Sequence, residues 1–170
     1  MIMLSVVWLS FVGINVAAAI TDLLSYRIPN ALVLALLVLF LAIGALNVGD
    51  VEWLSHIGAS ILVLGVGVFL YAFNQMGAGD VKLLSTLALW AGIFPLVQLL
   101  FFLSIFGLAG MLVIVLLRII MPRLQASGVA SDRPSLPRIL TRGQGIPYGI
   151  AIGPAAIAAS FSFVPWLWQF

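Results

Sequence analysis

Cysteine is absent from this chain, histidine occurs once, and charge is scarce, with 7 Lys+Arg and 5 Asp+Glu in 170 residues. Without cysteine there is no disulfide framework, no thiolate metal site and no cysteine nucleophile. An average soluble domain is about 25% charged, so a chain of this length would carry roughly 42 charges. The apolar share here is 64% and the mean hydropathy is +1.29. Polar groups this sparse cannot cover a water-facing surface, which excludes a soluble globule. The same composition excludes disorder, collagen and coiled coil. The sequence pI of about 9.5 rests on a net charge of only +2, too little for a nucleic-acid surface, so no nucleic-acid partner is expected.

What is present is a series of long uncharged runs, over residues 1–21, 28–49, 53–79, 83–117 and 143–170. A helix needs about 20 apolar residues to cross a bilayer core of about 30 Å. Four runs suit one crossing each. Residues 83–117 would make a helix of about 52 Å, too long for one crossing. Gly92 and Pro95 lie inside that run and offer a break. The expectation is therefore two helices, near 82–92 and 95–118, and an all-α polytopic membrane protein of about six transmembrane helices. No repeat, soluble domain or low-complexity tract interrupts it, so residues 1–170 read as a single transmembrane domain.

With six crossings, alternate loops share a side. One set, 21–30, 74–82 and 118–145, holds Arg27, Lys82, Arg118, Arg123, Arg133, Arg138 and Arg142, which are all the basic residues. The other, 47–53 and 92–95, holds Asp50 and Glu52 and none. Basic loops stay cytoplasmic. Both termini are thus expected on the outer side. Ala17, Ala18 and Ala19 resemble a signal-cleavage triplet, but Met1-Ile2-Met3-Leu4 lacks a basic leader region, which argues against cleavage.

Ionisable groups near membrane depth are costly and tend to have work to do. Asp22, Asp80 and Asp132 fall on the cytoplasmic side; Asp132 sits in the polar stretch 125–144, an expected flexible loop. Asp22 lies at the C-terminal end of helix 1, where the helix dipole disfavours a carboxylate, so capping does not explain it. It reads either as a solvated boundary residue paired with Arg27 or as a carboxyl held at the interface for chemistry. Asp80 closes Gly77-Ala78-Gly79-Asp80 and reads either as the N-cap of helix 4 or as a catalytic carboxyl. Gly77 and Gly79 add what a cap does not need, since they let another backbone approach. Two carboxyls on one membrane face can share a proton. One then takes a proton from water while the other polarises a carbonyl, which is peptide hydrolysis without a metal or covalent intermediate. The helix dipoles favour Asp80 as base and Asp22 as acid.

The stretch Thr21-Asp22-Leu23-Leu24-Ser25-Tyr26-Arg27-Ile28-Pro29-Asn30, followed by Gly77-Ala78-Gly79-Asp80-Val81-Lys82-Leu83, resembles the type IV prepilin peptidases, GxGD-type intramembrane aspartyl proteases. Ile146-Pro147-Tyr148-Gly149 resembles a further family segment. The resemblance covers residues 14–155. It implies that Asp22 and Asp80 are catalytic, with no metal and no cofactor. It implies prepilin or pseudopilin substrates, cut at the cytoplasmic face of the bacterial inner membrane, after a short basic leader and before a hydrophobic helix. Longer members carry a cytoplasmic insertion with paired CxxC motifs, and many methylate the new N-terminus. This chain has neither the cysteines nor the insertion, so it resembles the compact TadV/CpaA-type enzymes of tight-adherence (Flp) pilus systems, peptidases without methyltransferase activity. Archaeal preflagellin peptidases are a neighbouring possibility.

Other positions carry weaker expectations. Lys82 either contacts substrate or snorkels at the interface. Pro29 and Asn30 read either as the first position of helix 2 and a turn residue or as contacts to substrate. Pro147 and Gly149 either border the site or open the last helix. His56 reads as an outer boundary residue. Trp53, Trp90, Trp166 and Trp168 read as an interfacial belt, and Gly65, Gly67, Gly107 and Gly110 as points of close packing. The rival functions are a small transporter whose aspartates relay protons and a non-catalytic subunit of pilus or secretion assembly.

Overall fold

The computed structural model describes residues 2–46, 51–126 and 147–163. Among them are six α-helices and no strand: α1 (Ile2–Ser25), α2 (Asn30–Leu46), α3 (Trp53–Ala72), α4 (Ala78–Ala91), α5 (Ile93–Ala126) and α6 (Gly149–Phe163). Three contain stretches long and apolar enough to cross a membrane: Ser5–Ser25, Trp53–Ala72 and Ile93–Ile120. α2 and α6 are apolar but shorter, and α4 has only 14 residues, about 21 Å. Leu54, Phe69, Phe94, Val97, Phe101 and Leu108 are among many large apolar side chains left exposed. A soluble monomer does not leave so much apolar surface open, whereas lipid accepts it.

α4 is the buried centre. Val81 and all of Leu83 to Ala91 are buried, with Lys82 exposed among them. Trp90 anchors the cluster between Phe11 of α1 and Phe40 of α2, at ring separations of 4.9 and 5.6 Å. Its indole N–H donates to the Leu36 carbonyl at 3.1 Å, so the one polar atom of a buried tryptophan is satisfied. Trp90 is therefore core rather than interfacial belt. His56 also departs from expectation. It is buried, its Nδ1 lies 2.6 Å from the Leu89 carbonyl, and its ring packs against Phe40 at 5.4 Å with a tilt of 45°.

The break inside the long apolar run is the single residue Gly92, at φ +74°, a left-handed conformation that glycine adopts without cost. Ser55 Oγ accepts the freed Ile93 N–H at 3.0 Å. Pro95 falls within the first turn of α5, where its missing N–H has no intrahelical partner to lose. α4 begins earlier than expected, at Ala78. α5 runs past Arg118 to Ala126 where a loop was expected. Asp50, Asp132, Arg133, Arg138, Arg142, Trp166 and Trp168 lie outside the described residues.

The helices alternate in direction. One end of the bundle gathers the end of α1 and the starts of α2, α4 and α6, tied by Gly79 against Ile28, Lys82 to Asn30 and Gly149 to Asp22. The opposite end gathers Trp53 against Gly44 and His56 against Leu89. α1 and α6 pack closely because Gly153 has no side chain. A Cβ there would lie 2.9 Å from the Asn15 carbonyl oxygen and 3.0 Å from the Ala19 methyl. Gly67 lets Val81 approach in the same way, Gly110 and Gly107 face Ile150 and Ala151 at ordinary distances, and Gly65 faces open space.

Candidate active site

Asp22 stands in the last turn of α1 and is 5% exposed, and Asp80 stands in the first turn of α4 and is 8% exposed. Carboxylates are almost never this buried without partners. Asp22 has one from far along the chain: the Gly149 backbone N–H, at the N-terminus of α6, donates to Asp22 Oδ2 at 2.7 Å. Among the described residues Asp22 forms no ion pair with Arg27. Gly149 is a glycine of necessity, since a Cβ would lie 2.7 Å from Asp22 Cβ and 2.8 Å from Oδ2.

Asp80 is not the N-cap of α4. That position is Gly77, and the Asp80 carboxyl reaches back to accept the Gly77 backbone N–H. This is the half of a capping box that an acidic residue at the third helical position supplies. A Cβ on Gly77 would sit 2.7 Å from Asp80 Oδ2. Asp80 lies outside the stretches able to cross a membrane. Burial pushes its pKa up to about 6, the Asp22 charge adds to the rise, and the Gly77 amide opposes it. Asp80 thus senses the Asp22 charge.

Around them the remaining predicted positions arrange themselves unequally. Gly79 packs against Ile28, 3.3 Å from a notional Cβ to Ile28 Cβ, and so seats the start of α4 on the segment after α1. Lys82 Nζ donates to Asn30 Oδ1 at 3.2 Å, joining α4 to α2 at an exposed position. Pro29 precedes α2 rather than opening it, and its carbonyl accepts the Leu32 N–H at 3.1 Å. Pro147 is buried two residues ahead of α6, and the Tyr148 carbonyl accepts the N–H groups of Ala151 and Ile152 in its first turn. An exposed, uncharged-partner bond such as Lys82–Asn30 is worth about 0.5–1 kcal/mol. Lys82→Met is accordingly expected to lower Tm by about 2 °C, read by thermal unfolding of the purified protein.

A cavity of about 560 Å³ adjoins the site. Apolar side chains of α3, α4, α5 and α6 line it, together with Gln75, Met76 and Tyr148. Gln75 and Met76 lead directly into Gly77, and Tyr148 into Gly149. A smaller cavity of about 180 Å³ between α5 and α6 shares Tyr148 and is bordered by Pro147. Sequence reasoning missed Ile28 and Tyr26. The first has its signal in being the one apolar residue between Arg27 and Pro29. The second has none, because a tyrosine after a helix is unremarkable until its backbone is seen. Among the described residues no three His, Asp or Glu side chains gather as metal ligands. Two buried carboxyls, one raised in pKa by burial and by the charge of the other, suit general acid–base chemistry.

No curated protein and no solved structure matches the chain. A model of the type IV leader peptidase family matches residues 9–116, a stretch that begins in α1, ends in α5 and includes both buried aspartates. Covering more than half of the sequence, that match shows that the chain belongs to the type IV leader peptidase family.

Proposed function

We propose that the protein is an aspartic endopeptidase of the bacterial inner membrane that removes the leader from prepilin-like, Flp-type substrates at the cytoplasmic face, without methylating the product. The observation that carries this reading is the burial of Asp22 and Asp80 at the same end of the bundle, each held by a backbone amide of a glycine. Arg27 between α1 and α2, Lys82 in the first turns of α4 and Arg118 toward the end of α5 lie toward that end, which supports a cytoplasmic site by the charge rule, with six crossings and both termini outside.

The mechanism uses one proton shared by two carboxyls. Burial and the Asp22 charge raise the Asp80 pKa to about 6, so Asp80 holds the proton up to about that pH, and in this reading Asp22 serves as the base. Asp22 then takes a proton from water, and the oxygen attacks the scissile carbonyl carbon. Asp80 donates to the developing oxyanion, and the amine departs with a proton when the intermediate collapses. This reverses the dipole-based assignment, because that argument omitted the N-terminus of α6, whose Gly149 amide faces Asp22.

The singly protonated pair is lost when Asp80 ionises. Cleavage, measured as kcat/KM, is therefore expected to fall about tenfold per pH unit above about 6. A profile that rises through pH 6 would instead make Asp80 the base. The stability sign agrees. The raised folded pKa makes a contribution that is full below the ordinary 3.8 and lost as pH climbs through about 6. The direct test of function is co-expression with candidate prepilins from the same genome, with leader loss read by mass. Removal of the leader is the expected result. Intact prepilin with the protein inserted points to an assembly subunit, and aspartate-dependent ion flux to a transporter.

A further inference from the structure

Helix α1 closes in an unusual way. Its last helical residue is Ser25, and Tyr26 follows at φ +54°. The Tyr26 N–H donates to the Asp22 carbonyl at 2.8 Å, the single bond of a left-handed helix cap. Glycine is the ordinary occupant of that position, because a Cβ crowds the backbone there. Among the described residues the other positive-φ residue besides glycine is Asn74, whose short side chain tolerates the conformation. Tyr26 is thus held in a strained conformation on the peptide of a proposed catalytic residue, and strain of this kind gathers at functional sites.

Its side chain is a second, independent anomaly. Tyrosines at a boundary keep the ring against apolar groups and the hydroxyl in water. Tyr26 does the reverse: the residue is only partly buried, yet its hydroxyl oxygen is fully buried with no hydrogen-bond partner. Among the described residues the other such side-chain atom is Asn15 Oδ1, an acceptor. Among the described residues the Tyr26 hydroxyl is therefore the one buried side-chain donor without an acceptor. It belongs to the layer that holds the site, four residues after Asp22 and two before Ile28, which packs on Gly79 beside Asp80.

We infer that Tyr26 is a substrate-binding residue whose hydroxyl donates to a main-chain carbonyl oxygen of the bound substrate beside the scissile bond. An extended peptide in a buried site brings carbonyl oxygens stripped of water, and each needs a donor. The Gly77 and Gly149 amides are taken by the carboxyls, which leaves the phenol to supply one. The left-handed cap fixes the backbone from which that phenol projects.

This inference rests on the leader-peptidase reading, and the test separates the two. Wild type, Tyr26→Phe, Tyr26→Gly and Asp80→Asn are purified as full chains in liposomes and assayed over a range of prepilin concentrations. Tyr26→Phe removes the hydroxyl alone. It is expected to raise KM about tenfold with kcat within about twofold, the signature of a lost ground-state contact. Its Tm stays level or rises, because a buried unsatisfied group has gone. Tyr26→Gly relieves the strained cap and is expected to show the same KM rise in a folded protein. A wild-type KM in Tyr26→Phe overturns the inference, and so does a Tm several degrees lower, which would mark a partner within the fold. If wild type cleaves and Asp80→Asn does not, the peptidase reading stands whatever Tyr26 does. If wild type does not cleave, or Asp80→Asn cleaves as wild type does, both readings fall.

Discussion

Asp80→Asn and Asp22→Asn are each expected to reduce leader cleavage by about 10³-fold or more while the protein still folds and inserts. Asparagine matches aspartate in shape and keeps an oxygen that can accept the backbone N–H of Gly77 at position 80, or of Gly149 at position 22. It can neither take the proton from water nor lend one to the carbonyl. Neither variant removes buried volume or adds an unpaired charge, so Tm should hold or rise. The double variant should be no worse than either single, because residues that act as one unit lose their function together. Cleavage assays with both singles and the double, alongside thermal unfolding, check all of this. Single variants that keep a tenth of the activity each would mean that the two carboxyls work independently.

Gly149→Ala is expected to cost about 100-fold in kcat/KM even though the substituted residue carries no chemistry. The added methyl would lie 2.7 Å from Asp22 Cβ, 2.8 Å from Oδ2 and 3.0 Å from Cγ. Real Cβ atoms do not approach this closely, and the obstacle is the root of the side chain, which cannot rotate away. Either α6 retreats or the Asp22 carboxyl swings off the 2.7 Å amide bond. Both outcomes displace the base from its partner by about an ångström. Gly13→Ala is the matched control, since nothing lies within 4 Å of a Cβ there. It changes the same helix that carries Asp22, and it is expected to leave cleavage at the wild-type level. The pair of variants, measured for kcat/KM, separates a positional requirement at residue 149 from a general intolerance of added methyls.

The helical plan was readable in the sequence because charge is so rare that each uncharged run marks a helix, and Gly92 punctuates the one run too long for a single crossing. The glycine-flanked Asp80 was readable as a candidate for the same reason: little else near it is ionisable. What escaped the reading depends on contacts between distant residues. No local pattern tells that Gly149 will meet Asp22, because the two are 127 positions apart. Trp90 and His56 look like boundary residues one at a time, and only the closure of α1 and α2 around α4 buries them. The end of α5 was misplaced because polar residues such as Arg118 continue a helix as readily as they end one. The cap of α4 was misplaced by three residues because an acidic residue near a helix start serves either at the cap or at the third position.

The central claim is that Asp22 and Asp80 share one pocket, and the natural lack of cysteine allows it to be tested without background. Asp22→Cys and Asp80→Cys are combined in one chain, with a protease site inserted between α2 and α3. Membranes are treated with a short bifunctional thiol reagent and then with the protease. The account predicts that the two fragments stay joined under non-reducing conditions and separate on reduction. Fragments that never join, although each cysteine alone reacts with a small thiol probe, would contradict it.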